Sequence, residues 1–210
     1  MPQLNVHFVR VLLLICPLLA HAQSEPAARR PWVEPGDCWT YRASNVFGPG
    51  NELHSLCVNF VDHKTILATS TRKSDGKEVD STWTREWNAV SSYTGFIYRP
   101  SAGFFQFPLE IGQKFTSKFD VLRPRSDVVL SHVEVSSEVL GWEDVEVPAG
   151  KFRALKIESK SVSRRSDGKG GAVRTIIFWY EPEVRRWVKF VSSGVNVETL
   201  GEELLEFRLK

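Results

Sequence analysis

The chain is poor in cysteine, histidine and methionine, nearly balanced in charge, and without a long apolar run. Each shortage excludes something. The longest apolar stretch, residues 11–19, is about nine residues, against the roughly 20 that a membrane-crossing helix needs. No membrane-spanning helix is therefore expected. A formal charge of +2 over 210 residues removes the electrostatic case for nucleic acid or an anionic membrane surface as partner. The five histidines and three cysteines show neither H-x-x-x-H nor C-x-x-C spacing, so no metal site and no dithiol redox centre is indicated. Asp167-Gly168-Lys169-Gly170-Gly171 lacks the Lys-Ser/Thr ending of a phosphate loop, and no cofactor motif stands elsewhere.

What is present begins with an address. Arg10 supplies a positive segment, residues 11–19 an apolar one, and Ala20-His21-Ala22 a small-x-small cleavage motif. Residues 1–22 read as a secretory signal peptide cut after Ala22, and the product as periplasmic or secreted. A lipid-attachment box at Cys16 is the rival reading. It is disfavoured because Ile15 stands where a small residue is required and Cys16 lies inside the apolar run. Residues 23–34, rich in Pro, Ala and charge, read as an extended lead-in, and residues 35–210 as one β-domain.

Removal of Cys16 leaves Cys38 and Cys57 in an oxidising compartment, where a disulfide is the default. Residues 37–44 and 52–62 read as strands about a Gly-Pro-Gly-Asn turn, and pairing across it brings the two cysteines opposite or nearly so. Alternation puts Trp39 and Tyr41 on one face with Leu56, Val58 and Phe60, and both sulfurs on the other, more polar face.

Further strands are expected at 65–73, 78–88, 114–122, 128–140, 143–147, 151–165, 173–180 and 187–193, with a last one at 195–209. Ser74-Asp75-Gly76-Lys77 and the Asp167-Gly168 loop read as hairpin tips. Residues 202–207 allow a helical turn, but the turn at Gly194 feeds a strand more directly. The fold class expected is all-β: an antiparallel meander of about ten strands forming a curved, half-open or closed barrel, with a sandwich as the alternative.

Seven tryptophans and thirteen phenylalanines are a heavy load for this length. They either pack as core or line an apolar cavity in a curved sheet, which barrels of about eight or more strands can hold. The lining residues expected are Trp39, Tyr41, Phe60, Trp83, Trp87, Phe96, Phe104, Phe105 and Trp179. Residues 93–107 mix Gly95, Pro100 and Gly103 with five rings before Phe107, suiting a mouth loop, a lid or a plug better than a regular strand.

Catalytic equipment is not visible. His54 points with the apolar face beside Leu56, His63 sits in a turn and His132 in an alternating run, none near a G-x-S-x-G elbow. The acids grouped at Glu143-Asp144-Glu146, Glu181-Glu183 and Glu202-Glu203-Glu206 read as solvated faces rather than a glycosidase pair.

Two stretches carry a resemblance. Val145-Glu146-Val147-Pro148-Ala149-Gly150-Lys151-Phe152 runs on to Ala154 and to Ile157-Glu158, and Trp179-Tyr180-Glu181-Pro182-Glu183-Val184-Arg185-Arg186-Trp187-Val188-Lys189 follows. With Gly36-Asp37-Cys38-Trp39 and Phe107-Pro108-Leu109 ahead of them, they resemble the DUF3108-like bacterial envelope proteins. That resemblance implies a half-closed barrel like the carriers LolA and LolB, and no catalytic residue. Arg185 stands where that pattern has Gly, which implies a wider turn here. The function expected is a non-enzymatic exported β-domain binding an apolar small molecule, a lipid or another envelope component. The alternatives are a docking module with a filled core and, more weakly, a hydrolase.

Overall fold

A computed structural model describes residues 26–195 and 197–210; the signal peptide and cleavage site expected at residues 1–22 lie outside these residues. The described residues form twelve strands and no helix: β1 (Cys38–Ser44), β2 (Asn51–Val61), β3 (Thr65–Arg72), β4 (Glu78–Thr84), β5 (Ala89–Ser91), β6 (Ile97–Arg99), β7 (Lys114–Leu122), β8 (Val129–Val147), β9 (Gly150–Arg165), β10 (Gly171–Glu181), β11 (Arg186–Gly194) and β12 (Val197–Arg208). Each pairs antiparallel with its neighbour in sequence, and β12 pairs with β1, so the meander is a closed barrel. Closure corrects the half-closed barrel that the resemblance implies. It also satisfies the edge strands that an open sheet would expose.

The first hairpin has the expected register. Cys38 stands opposite Cys57 and the two form a disulfide. Trp39, Tyr41, Leu56 and Val58 are buried on the inner face. Phe60 is not: the β2–β3 register shifts between Val58 and Phe60, a bulge that breaks the two-residue alternation and leaves Phe60 half exposed outside. The Asp-Gly tips hold. Gly76 takes φ 69° between β3 and β4, and Asp75 pairs with Arg72 and accepts the Lys77 amide.

Three features differ from the sequence reading. Strand 78–88 stops at Thr84, because a tight turn puts Trp87 at φ 61°. Strands 128–140 and 143–147 are one strand, β8, bent by a bulge at Val139–Gly141. Two three-residue strands, β5 and β6, are additional. The last strand is present as expected, with residues 202–207 in β12.

A barrel of this many strands is wider than side chains alone can fill, and the chain itself supplies filling. Beyond β6, residues 100–107 run inward, with Ala102 and Phe105 buried. The insert is fastened on both sides. The Ala102 amide donates to Ala89 O, and Ser117 Oγ to Gly103 O at 2.8 Å. Asn88 Nδ2 donates to Phe105 O (2.8 Å) while the Phe105 amide donates to Asn88 Oδ1 (2.9 Å). Gly103 is required there: a Cβ would lie 2.7 Å from the Ser117 Cβ. The lead-in is also packed, with Ala28 bridged to Leu109 and Val33 buried.

The outer face of β7, β8 and β9 carries ladders of ion pairs: Lys118 and Arg164 meet Glu134, Lys114 meets Glu138 and Lys156 meets Glu143. No helix among the described residues is long and apolar enough to cross a membrane.

Candidate functional site

The end of the barrel carrying the β1–β2 and β5–β6 turns opens into an apolar cavity of about 370 Å³, within the range of small-molecule sites. The β5–β6 hairpin contributes Phe96 and Tyr98 to its wall, the inward insert Phe104 and Phe105, and β10 Ile176 and Phe178. Trp83, Trp87 and Trp187 form its deep end. The rings interlock. Phe105 packs on Phe178 at 4.9 Å and lies nearly parallel to Trp187 at 6.0 Å.

Under those tryptophans lies a fully buried guanidinium. Arg186 has its charged group 3.7 Å from the centroid of Trp187, 4.3 Å from Trp87, 5.0 Å from Trp83, 5.7 Å from Trp39 and 5.8 Å from Tyr41. None of its nitrogens makes a hydrogen bond with the described residues. Five ring faces surround the charge in place of water, an arrangement that strengthens when desolvated. The rings are oriented from behind. Trp39 Nε1 donates to Val184 O, Trp87 Nε1 to Arg185 O and the Tyr41 hydroxyl to Trp187 O, each at 2.8 Å.

The charge is balanced by Glu202, also buried. Its Oε1 bonds His54 Nε2 at 3.0 Å and the Tyr93 hydroxyl, and its Oε2 accepts Trp187 Nε1 at 3.1 Å. Burial pushes the carboxyl up, but the hydrogen bonds from His54 and Tyr93 and the attraction of His54 and of the Arg186 charge outweigh it, holding the group below its ordinary value. Tyr93 is moved well above the usual phenol range by burial and by the Glu202 charge.

On its other nitrogen, Nδ1, His54 meets Ser70 Oγ at 3.1 Å. Because a carboxylate only accepts, Nε2 carries a hydrogen towards Glu202, and in neutral His54 Nδ1 accepts from Ser70. Hydroxyl, imidazole and carboxylate thus stand in the order of a nucleophile, a base and its orienting group. Ser70 is, however, only 2% exposed. The sequence reading finds no such chain because it puts Glu202 on a solvated face. Alternation with buried Leu204 and the need of an inward His54 for a partner are the signals that locate it. Glu181 is likewise buried rather than solvated, its Oε2 accepting the Val184 amide at 2.6 Å. No cluster of metal-ligating side chains occurs among the described residues.

Of the nine expected lining residues, Trp83, Trp87, Phe96, Phe104 and Phe105 reach the cavity. Trp39 and Tyr41 lie beneath it, around Arg186. Phe60 is outside the barrel. Trp179 is buried away from the cavity, under Lys156 (5.4 Å) and Lys189 (5.9 Å). The turn before Arg186 is not widened by the missing glycine. Arg185 takes the left-handed conformation itself, at φ 63°, and the Arg185 amide closes on Pro182 O.

No family model and no curated protein sequence matches the chain, so the DUF3108-like resemblance has no match behind it. Solved structures do. A "putative lipoprotein" from Parabacteroides distasonis is 13% identical with a TM-score of 0.53, over 88% of this chain and 100% of that one. A "putative exported protein with YmcC-like fold" from Bacteroides fragilis is 15% identical with a TM-score of 0.54, over 87% of this chain and 100% of that one. At such identities the likeness is one of fold, and the chain shares the barrel fold of these two proteins.

Proposed function

We propose that the protein is an exported, non-enzymatic barrel of the cell envelope that binds an apolar ligand in the cavity above Trp83, Trp87 and Trp187. The observation that carries this reading is the cavity itself: aromatic, open at one end, and left unfilled although the chain folds its own insert into the barrel. The leader-like residues 1–22 and the export-related descriptions of both structural neighbours support the address. The charged ladders on β7–β9 suit an aqueous compartment, since an outer-membrane barrel presents an apolar band outward.

The test is extraction and titration. The protein purified from its native compartment is expected to yield organic-extractable lipid, and added fatty acid to shift the emission of the cavity tryptophans. A protein with no bound lipid and no shift would instead favour docking on another envelope protein. The Ser70–His54–Glu202 chain favours the hydrolase reading, but its burial supports a structural role. No labelling of Ser70 by a fluorophosphonate probe is expected; labelling abolished by Ser70→Ala would establish the enzyme.

A further inference from the structure

Arg174 alternates with Ile176 and Phe178 along β10 and shares their inner face, where it lines the cavity towards its open end. Its Nη1 donates to Ser192 Oγ at 3.4 Å and to Glu198 O at 3.1 Å. No carboxylate stands within ion-pair distance of it among the described residues. None lines the cavity either, nor the adjoining cleft, which shares Tyr93 and Phe96 with it and carries Arg72 and Lys77. Of these cations Arg72 is engaged by Asp75, whereas the guanidinium of Arg174 keeps donors unused.

We infer that the cavity takes a single-chain amphiphile with an anionic head group, its tail against the aromatic walls and its head at Arg174. This rests on the apolar-ligand reading above. The orientation follows from the charges. At the deep end the one arginine or lysine among the described residues, Arg186, has its donors covered by five rings and its charge balanced by Glu202, so a head group pushed inward would reach no exposed donor and would meet a buried negative charge. At the mouth it meets a planar guanidinium suited to two-oxygen pairing. A volume near the lower end of ligand pockets, about 300–1,000 Å³, fits one chain rather than two.

Tryptophan emission of the purified exported protein would be titrated, below micelle formation, with dodecanoate, dodecyl phosphate and dodecanol. At least one anion is expected to bind roughly tenfold tighter than the alcohol, the size of one charge-assisted hydrogen bond. Whichever anion binds tighter names the head group as carboxylate or phosphate. Arg174→Gln is expected to bring the anion down to the alcohol's affinity while leaving alcohol binding, which reports an intact cavity, unchanged. Arg174→Lys should keep part of the preference. Equal binding of anion and alcohol by the wild type, or an anion preference that survives in Arg174→Gln, overturns the head-group assignment alone. Failure of all three amphiphiles to bind overturns the cavity reading, and the assignment with it.

Discussion

The guanidinium of Arg186 lies 3.7 Å from the centroid of the Trp187 ring, and the same indole donates through Nε1 to Glu202 at 3.1 Å. One side chain therefore joins the buried cation to the buried carboxylate. An isolated charge in a barrel interior is strongly unfavourable; here rings on one side and an opposite charge beyond them offset the lost hydration.

That coupling is measurable. Arg186→Ala is expected to destabilise by about 3–5 kcal/mol, since it leaves Glu202 without its counter-charge and opens space among the rings. Glu202→Gln should also destabilise. In urea denaturation the double variant should lose less than the sum of the two by about 1–3 kcal/mol. Strict additivity would show that the two groups act independently.

Acid stability should report Glu202. A carboxyl held below its unfolded value, here about 4.5, contributes stability that is present above that pH and lost as pH falls through the lower folded value. The stability gap between wild type and Glu202→Gln is therefore expected to be full at pH 7 and to narrow below about pH 4.5. A gap that stays constant to pH 3 would contradict the arrangement. Glu181 works the other way, since burial raises its carboxyl, so the comparison must use the Glu202 variant rather than the total acid transition.

Arg185 combines a left-handed backbone with an ion pair from Nη1 to the buried Asp37 at 2.9 Å. Arg185→Gly loses the pair but relieves the backbone; Arg185→Ala loses both advantages. Thermal or urea unfolding should place the Ala variant about 1 kcal/mol or more below the Gly variant. Equal losses would mean that the backbone carries no strain.

Asn88 acts as a substitute strand for the inward insert. Asn88→Ala would leave the buried N–H and C=O of Phe105 unpaired, at about 1–3 kcal/mol for each group. Hydrogen exchange at the Phe105 amide is expected to accelerate well beyond that of β8 and β9. Unchanged protection would show that ring packing alone holds the insert.

Much of the architecture is legible along the chain because strand pairing in a meander is local. The Cys38–Cys57 register follows from one turn, and the Asp-Gly tips from φ preference. Legibility stops where one extra residue intervenes. Bulges at Val58–Phe60 and Val139–Gly141 reverse or continue faces that alternation had set. Trp87 reaches the cavity through a turn rather than a strand. Most of the grouped acids are on the outside as expected, but Glu181 and Glu202 escape the pattern because composition marks Glu as solvated, whereas Glu202 is held inside by His54, Tyr93 and Trp187, from three separate segments.

By itself the sequence determined the all-β class, the order of hairpins, the cysteine pair and the aromatic load, since each depends on period-two patterning and turn chemistry within a few residues. Only the tertiary structure decided that β12 closes on β1, that residues 100–107 fold inward, that Arg186 and Glu202 share the interior and that Arg174 stands at the mouth. Those outcomes depend on which distant strands face one another across the barrel. That relation is set by closure and by the volume left to fill, and no local pattern encodes it.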